Sequence, residues 1–208
     1  MCCKVSDDQD GDIYISDLDR CGVSHNLKNS RTSNEATGKC LVLITPDAER
    51  SMSTFLGVSE TLSSRQLDYE EILNSEYVYL EGYLVTSASC KEAAIQLRTF
   101  AEENGIKTAL SFSDPGIANF FRDGIREIIG EKIDLIFCNK DEALSWANTE
   151  RLEDALTAIK KITKTFVVTL GAKGAITFDG NIENQISPEN VDAIDTNGAG
   201  DMFAGAFL

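Results

Sequence analysis

What most limits the fold of this chain is a series of short, apolar segments, each followed by a stretch of helical character. The apolar segments are Tyr77-Val78-Tyr79-Leu80, 108–112, 134–138 and 166–170. Between them lie 87–104 with Gly105 behind it, 117–129 closed by Gly130, and the pair 140–147 and 152–162. A continuously apolar strand is buried on both faces, and parallel neighbours must be joined by a crossover, usually a helix. Glycine just past a periodic stretch is a helix stop. The repeated order therefore predicts an α/β fold: a three-layer α/β/α sandwich around a mostly parallel, Rossmann-like sheet.

The flanks are less regular. Residues 12–20 predict a short helix, with Ile13, Leu18 and Cys21 able to share a face and Gly22 to stop it. The polar stretch 28–38 predicts a loop. A strand is expected over 40–45, a turn at Pro46-Asp47-Ala48-Glu49 and a return strand over 50–56. Further on, 174–178 and 182–186 predict a hairpin. From Gly198 to Leu208 the chain reads as the first turns of a buried helix with no stop, and truncation at both ends is expected.

Composition narrows the partners. Nineteen Lys and Arg stand against 34 Asp and Glu, a net charge of −15. Such a surface repels nucleic acid and anionic membranes unless its cations cluster, and no cluster is seen. No apolar run approaches the ~18 residues of a membrane span. No apolar stretch of the kind found in secretion signals follows Met1-Cys2-Cys3-Lys4, so a cytoplasmic location with reduced thiols is expected for the six cysteines. None of the cysteines forms a C-x-x-C pair, and His25 is the only histidine, which argues against a zinc site or a histidine-based triad.

Chemistry concentrates near the C-terminus. In Asp195-Thr196-Asn197-Gly198-Ala199-Gly200-Asp201, glycines let backbone N–H groups converge, and the helix beginning there adds its positive end. Together they suit an anion, and Asp201 in the first turn can take a proton from an attacking hydroxyl. On composition alone, an Asp201 that only favours the helix start fits equally well. Asn139 and Glu142 have the spacing of a capping box. Thr169-Leu170-Gly171 alone is an ordinary strand-to-turn junction, and it is not a P-loop. Glu81 either faces a ligand at the carboxyl end of its strand or is an ordinary strand-end carboxylate. The spacing Ser6-x-Asp8-x-Asp10-Gly11 through Asp17 fits a calcium loop, though with Ser at the first position and Asp at the last.

The run from Asp195 to Asp201, continued by Met202-Phe203 and a small-residue helix, resembles the second signature of the ribokinase-like (PfkB) carbohydrate kinase family. Other motifs fall in the family's order: Val5-Ser6-Asp7-Asp8 with Gly11, Asp17-Leu18 and Gly22-Val23; Thr37-Gly38, then Pro46-Asp47-Ala48-Glu49-Arg50; Asn139-Lys140-Asp141-Glu142; and Thr169-Leu170-Gly171-Ala172-Lys173-Gly174. The second of these groups, Thr37-Gly38 with 46–50, resembles the substrate-side strand pair, especially of the adenosine kinase members. The resemblance covers essentially the whole chain, implying a single, partial domain over 1–208 with a strand pair, 38–58, left from a small β lid.

The resemblance implies a kinase that moves the γ-phosphoryl group of ATP to a hydroxyl of a sugar or nucleoside, with adenosine slightly favoured. Asp201 would be the general base, with Gly198, Ala199 and Gly200 as the anion hole. Asn139 and Glu142 would organise the nucleotide phosphates and Mg2+, Glu142 acting through water. Thr169, Leu170, Gly171, Ala172, Lys173 and Gly174 would line the nucleotide, and Glu81 would stand on the substrate side. Asp195 and Asn197 fall where some members bind a monovalent cation such as K+. Some members form homodimers through the lid. Family members begin upstream with a Gly-rich strand that carries part of the acceptor pocket. Its absence here predicts an exposed sheet edge and leaves a second reading open: a catalytically silent fragment that binds nucleotide or a partner.

Overall fold

The parallel crossovers of this chain all step in one direction across the sheet. In the computed structural model, which describes residues 1–29, 31–32, 34–44, 50–189, 191 and 195–208, the elements are α1 (Gln9–Arg20), β1 (Lys39–Ile44), β2 (Arg50–Phe55), α2 (Tyr69–Leu73), β3 (Tyr77–Glu81), α3 (Ala88–Glu103), β4 (Lys107–Ser111), α4 (Pro115–Phe120), α5 (Arg122–Ile129), β5 (Ile133–Asn139), α6 (Lys140–Ala147), α7 (Leu152–Ile159), β6 (Thr163–Thr169), β7 (Ala175–Phe178), β8 (Glu183–Ile186) and α8 (Ala199–Phe207). The main sheet has the order β3-β4-β5-β6-β7-β8. β3 to β6 are parallel, and β7 and β8 close it as the expected antiparallel hairpin. Right-handed crossovers that always step toward the next strand put every connecting helix on one face. So α3 to α7 form one layer, and α8 lies on the other face.

Strand alternation sorts the side chains accordingly. Leu80, Leu110, Ile136, Cys138, Phe166 and Val168 meet Ala94, Leu97, Ile125, Ile128, Trp146 and Ile159 from the helices. Phe112, fully buried, stacks on Trp146 with ring centroids 5.0 Å apart. Each such side chain contributes about 1.5–3 kcal/mol by leaving water. On the other face Ala109, Leu135, Phe137, Val167 and Ala175 form a smaller cluster with Ala204 of α8. Phe207 sets its ring edge-on to Phe137 at 5.5 Å. Among the described residues β3 pairs only with β4, the exposed edge expected from the sequence.

β1 and β2 form a separate antiparallel pair, registered from Lys39↔Phe55 to Ile44↔Arg50. The turn expected at Pro46–Glu49, and Thr45 before it, lie outside the described residues. The pair is anchored at its base. Asp8 accepts from the Thr37 amide at 2.8 Å and the Thr37 hydroxyl at 2.6 Å, while also capping α1 through the Gly11 amide at 2.8 Å. Thr37 Oγ1 accepts the Ser6 amide at 2.9 Å. These bonds hold the Asp8 carboxyl down at about 2. They also decide the calcium question: Asp8 is a helix cap, and the stretch that would be the loop is α1 itself.

The structure corrects several boundaries. α1 starts at Gln9, not residue 12, because Asp8 is its cap. The single helix expected over 117–129 is two. Asp114 caps α4 through the Gly116 amide at 2.7 Å with Pro115 at the first helical position. The chain then bends at Phe121, letting α5 turn Ile125, Ile128 and Ile129 inward. Helix α7 ends at Ile159 and β6 starts at Thr163, earlier than the expected 166, while Leu170 falls just beyond it. α2 and the 3-10 turns Gly57–Thr61, Ser64–Gln66 and Gly82–Thr86 have no counterpart in the sequence reading.

Candidate active site

Because β3 to β6 run parallel, their carboxyl ends share one edge, where ligands bind in open α/β sheets. Register aligns the candidate residues along it: Glu81 opposite Ser111, and Asn139 opposite Thr169. Glu81, Ser111 and Asn139 continue the alternation that faces α8. A cavity of about 1030 Å3 runs beside β3 and is walled by Tyr79, Glu81, Asp201 and Ala204 among others. The fold thus brings Glu81 and Asp201, far apart in sequence, to one space.

At β3, burial pushes the Glu81 carboxyl above its ordinary value. Hydrogen bonds from Ser113 and Tyr79 oppose the shift, and the Asp201 charge reinforces it. The Ser113 hydroxyl donates to Glu81 Oε2 at 2.7 Å. Burial, then the Glu81 charge, drives the Tyr79 phenol well upward, so it stays protonated.

At β5, the sequence left Asn139 and Glu142 between a cap and a ligand role, and the cap is present. The Glu142 amide donates to Asn139 Oδ1 at 2.8 Å, the Asn139 amide to Glu142 Oε2 at 3.0 Å, and Asn139 Nδ2 to Glu142 Oε1 at 2.7 Å. Glu142 is only 7% exposed. Burial lifts its pKa to about 7, the Asn139 amide opposing and the charges of Asp114, Glu81 and Asp141 assisting. The capping box holds a carboxylate in a field short of positive charge, a setting that suits a divalent cation. Among the described residues no three acidic, His or Cys side chains converge closely enough to chelate a metal directly.

At α8, Gly198 takes a left-handed backbone, φ +73, and turns the chain into the helix. The Ala199 amide donates to Thr196 O at 3.2 Å. Among the described residues the amides without a partner at the helix entrance are those of Gly198, Gly200 and Asp201, so two of the three expected anion-hole residues offer a free N–H. A Cβ on Gly198 or Gly200 would meet nothing within 4 Å, so the approach to these amides is open. Asp195 Oδ1 accepts the Asn197 amide at 2.8 Å, ordering the turn that leads in.

The last candidate segment, Thr169 to Gly174, leaves β6 as a tight turn. Leu170 N–H bonds Gly174 O at 2.8 Å around the 3-10 turn Gly171–Lys173. Gly174 is obligatory there: its φ is +87, and a Cβ would stand 1.9 Å from Ile186 O. This turn, the Asn139 cap and the start of β7 lie at the same sheet edge. The sequence reading missed Tyr79, Ser113 and Asp114. The run Ser111-Phe112-Ser113-Asp114 held the signal, since its serines and acid fall just past a strand end on the ligand edge.

Comparison with known proteins places the fold in a family. The pfkB family carbohydrate kinase family matches residues 1–208. An adenosine kinase of Dictyostelium discoideum is 31% identical over 98% of this chain and 64% of its own length. A crystal structure of adenosine kinase from Sinorhizobium meliloti superposes with a TM-score of 0.92 at 29% identity, over 99% of this chain and 63% of that one. A putative ribokinase II from E. coli, solved in complex with ATP and Mg2+, shares the fold with a TM-score of 0.82 at 23% identity, over 99% of this chain and 67% of that one. The chain belongs to the pfkB carbohydrate kinase family. It spans less than two thirds of the curated adenosine kinases it resembles.

Proposed function

We propose that this chain carries the phosphoryl-transfer centre of an ATP-dependent kinase acting on a hydroxyl of a nucleoside or sugar. The observation that carries the reading is the placement of Asp201: it follows the open amides of the α8 entrance and shares a cavity with Glu81. Asp201 takes the acceptor's hydroxyl proton as its oxygen bonds to the γ-phosphorus and the bond to the ADP oxygen breaks. The amides of Gly198, Gly200 and Asp201 face the charge that grows on the transferred group, aided by the helix dipole. Glu81 binds acceptor hydroxyls. The turn Thr169–Gly174 lines the nucleotide, and the β1–β2 pair, within 38–58, acts as a lid over the acceptor.

Glu142 and Asn139 would hold Mg2+ through water, as a buried oxygen donor set in a negative field suits that ion. When bound, the metal neutralises charge on the nucleotide phosphates. Asp195 and Asn197 offer oxygen donors for a monovalent cation such as K+, which activity in potassium against choline salts would reveal. A homodimer across the exposed Leu41, Leu43 and Met52 of the β1–β2 pair belongs to the same reading, tested by sedimentation. Adenosine leads as acceptor because the matched relatives named above include adenosine kinases.

The test is ADP release with Mg-ATP against adenosine, D-ribose and D-fructose, alongside Asp201→Asn. Acceptor-dependent release that the variant loses supports the reading. A folded chain that binds ATP and releases no ADP with any acceptor favours the second reading, a nucleotide-binding piece without transfer, which the 64% coverage of the Dictyostelium relative keeps in view.

A further inference from the structure

Ser113 holds a backbone conformation that residues with side chains avoid, φ +66. Among the described residues the other non-glycine case is Asn148, the C-terminal cap of α6, a position that suits Asn. Ser113 caps no helix. Strain of this kind persists only where the surroundings impose it, and it gathers at functional sites.

The conformation carries Ser113 back across the gap between the ends of β3 and β4. Its Oγ accepts the Gly82 amide at 2.8 Å and donates to Glu81 Oε2 at 2.7 Å. Its own amide donates to Ser111 Oγ at 3.1 Å, and the Tyr83 hydroxyl donates to its carbonyl at 3.4 Å. The strand ends approach so closely that a Cβ on Gly82 would lie 2.7 Å from Phe112 O. With the Gly82 amide on a lone pair of Oγ, the single hydroxyl proton goes to Glu81 Oε2 at 2.7 Å in preference to Ser111 O at 3.5 Å.

We propose that Ser113 is a positioning residue for the acceptor: its hydroxyl fixes the Glu81 carboxylate, as an ionised acceptor of hydrogen bonds, on the wall of the cavity shared with Asp201. The proposal rests on the reading of Glu81 as an acceptor-side group. The groups around Glu81 make such a device necessary. Burial favours its protonated form, and Asp201 from α8 places like charge toward it. Tyr79 from β3 and Ser113 are the donors that oppose them. A protonated Glu81 would donate where acceptor hydroxyls need an acceptor.

The experiment compares the wild-type chain with Ser113→Ala, Ser113→Gly and Glu81→Gln. Glycine relieves the backbone and alanine does not, while both remove the hydroxyl. The Glu81 carboxyl is followed by carbon NMR, assigned by its loss in Glu81→Gln, and kcat and KM are measured with Mg-ATP and adenosine or D-fructose. In both serine variants the Glu81 midpoint should rise by about half a pH unit or more. Acceptor KM should rise about three- to tenfold with kcat changed less than about twofold. A Glu81 midpoint unmoved in both variants, or moved in alanine but not in glycine, overturns the proposal. An acceptor KM unchanged by Glu81→Gln instead removes the reading of Glu81, and the acceptor role of Ser113 with it. If no acceptor turns over, the kinase reading fails and the NMR comparison alone decides whether Ser113 sets Glu81.

Discussion

The two faces of the six-stranded sheet are built from alternate residues of the same strands, yet they do different work. On one face, consecutive crossovers lay five helices over Leu110, Ile136 and Phe166, which are at most 1% exposed. On the other, α8 covers Phe137 and Val167 and leaves Phe207 49% exposed. The helix-covered face holds the fold. The face under α8 carries Tyr79, Glu81 and Asn139 at its edge and Asp201 above it. The difference teaches that a strand in this molecule can be read as two sequences, odd and even, one facing the five packed helices and the other facing α8.

The largest effect that tests this division is functional. Asp201→Asn should lower transfer by about 10²–10⁴-fold and leave the urea midpoint of unfolding in place. A variant unfolding at clearly lower urea would show the α8 face to be structural after all. Next, Phe112→Ala on the covered face should cost about 3–5 kcal/mol, through lost burial and the void left against Trp146, measured by the same denaturation.

Glu142 stands where the faces meet, and its effect is a pH dependence. Its folded value, about 7, exceeds that of an unfolded glutamate, so between the two the folded chain holds the extra proton. Stability should then fall as pH rises from about 4.5 to 7, by roughly 3 kcal/mol at most, and flatten above. Thermal melts of Glu142→Gln should lack this slope; an identical slope would assign it elsewhere. The smallest effect returns to the open face: Phe207→Ala should cost about 1 kcal/mol or less, since half of the ring is already in water. A loss matching that of Phe112→Ala would erase the contrast between the faces.

How much of this was legible depended on how local the cause was. The strands β3 to β6 show in sequence because burial on both faces writes continuous apolar runs. The α8 turn shows because its glycines and acids are adjacent. The bend at Phe121 does not, since it is set by where α5 must pack. Asp8 was read within a calcium-like spacing because its partner Thr37 is 29 residues away. Ser113 was invisible for the same reason, reaching Glu81 across 32 residues. The capping box at Asn139 and Glu142 was legible as a pattern, but only the buried surroundings reveal what it does to the Glu142 proton.

The strand order has a consequence for how the molecule comes into being. From β4 through β8, each strand of the main sheet pairs with the strand made just before it. No pairing waits for a distant partner, so the contact order of this sheet stays low for a parallel architecture. The sheet can therefore grow in the direction of synthesis, each crossover docking as it leaves the ribosome. The Asp201 turn, lying beyond the last of these strands, would be added to a surface already built.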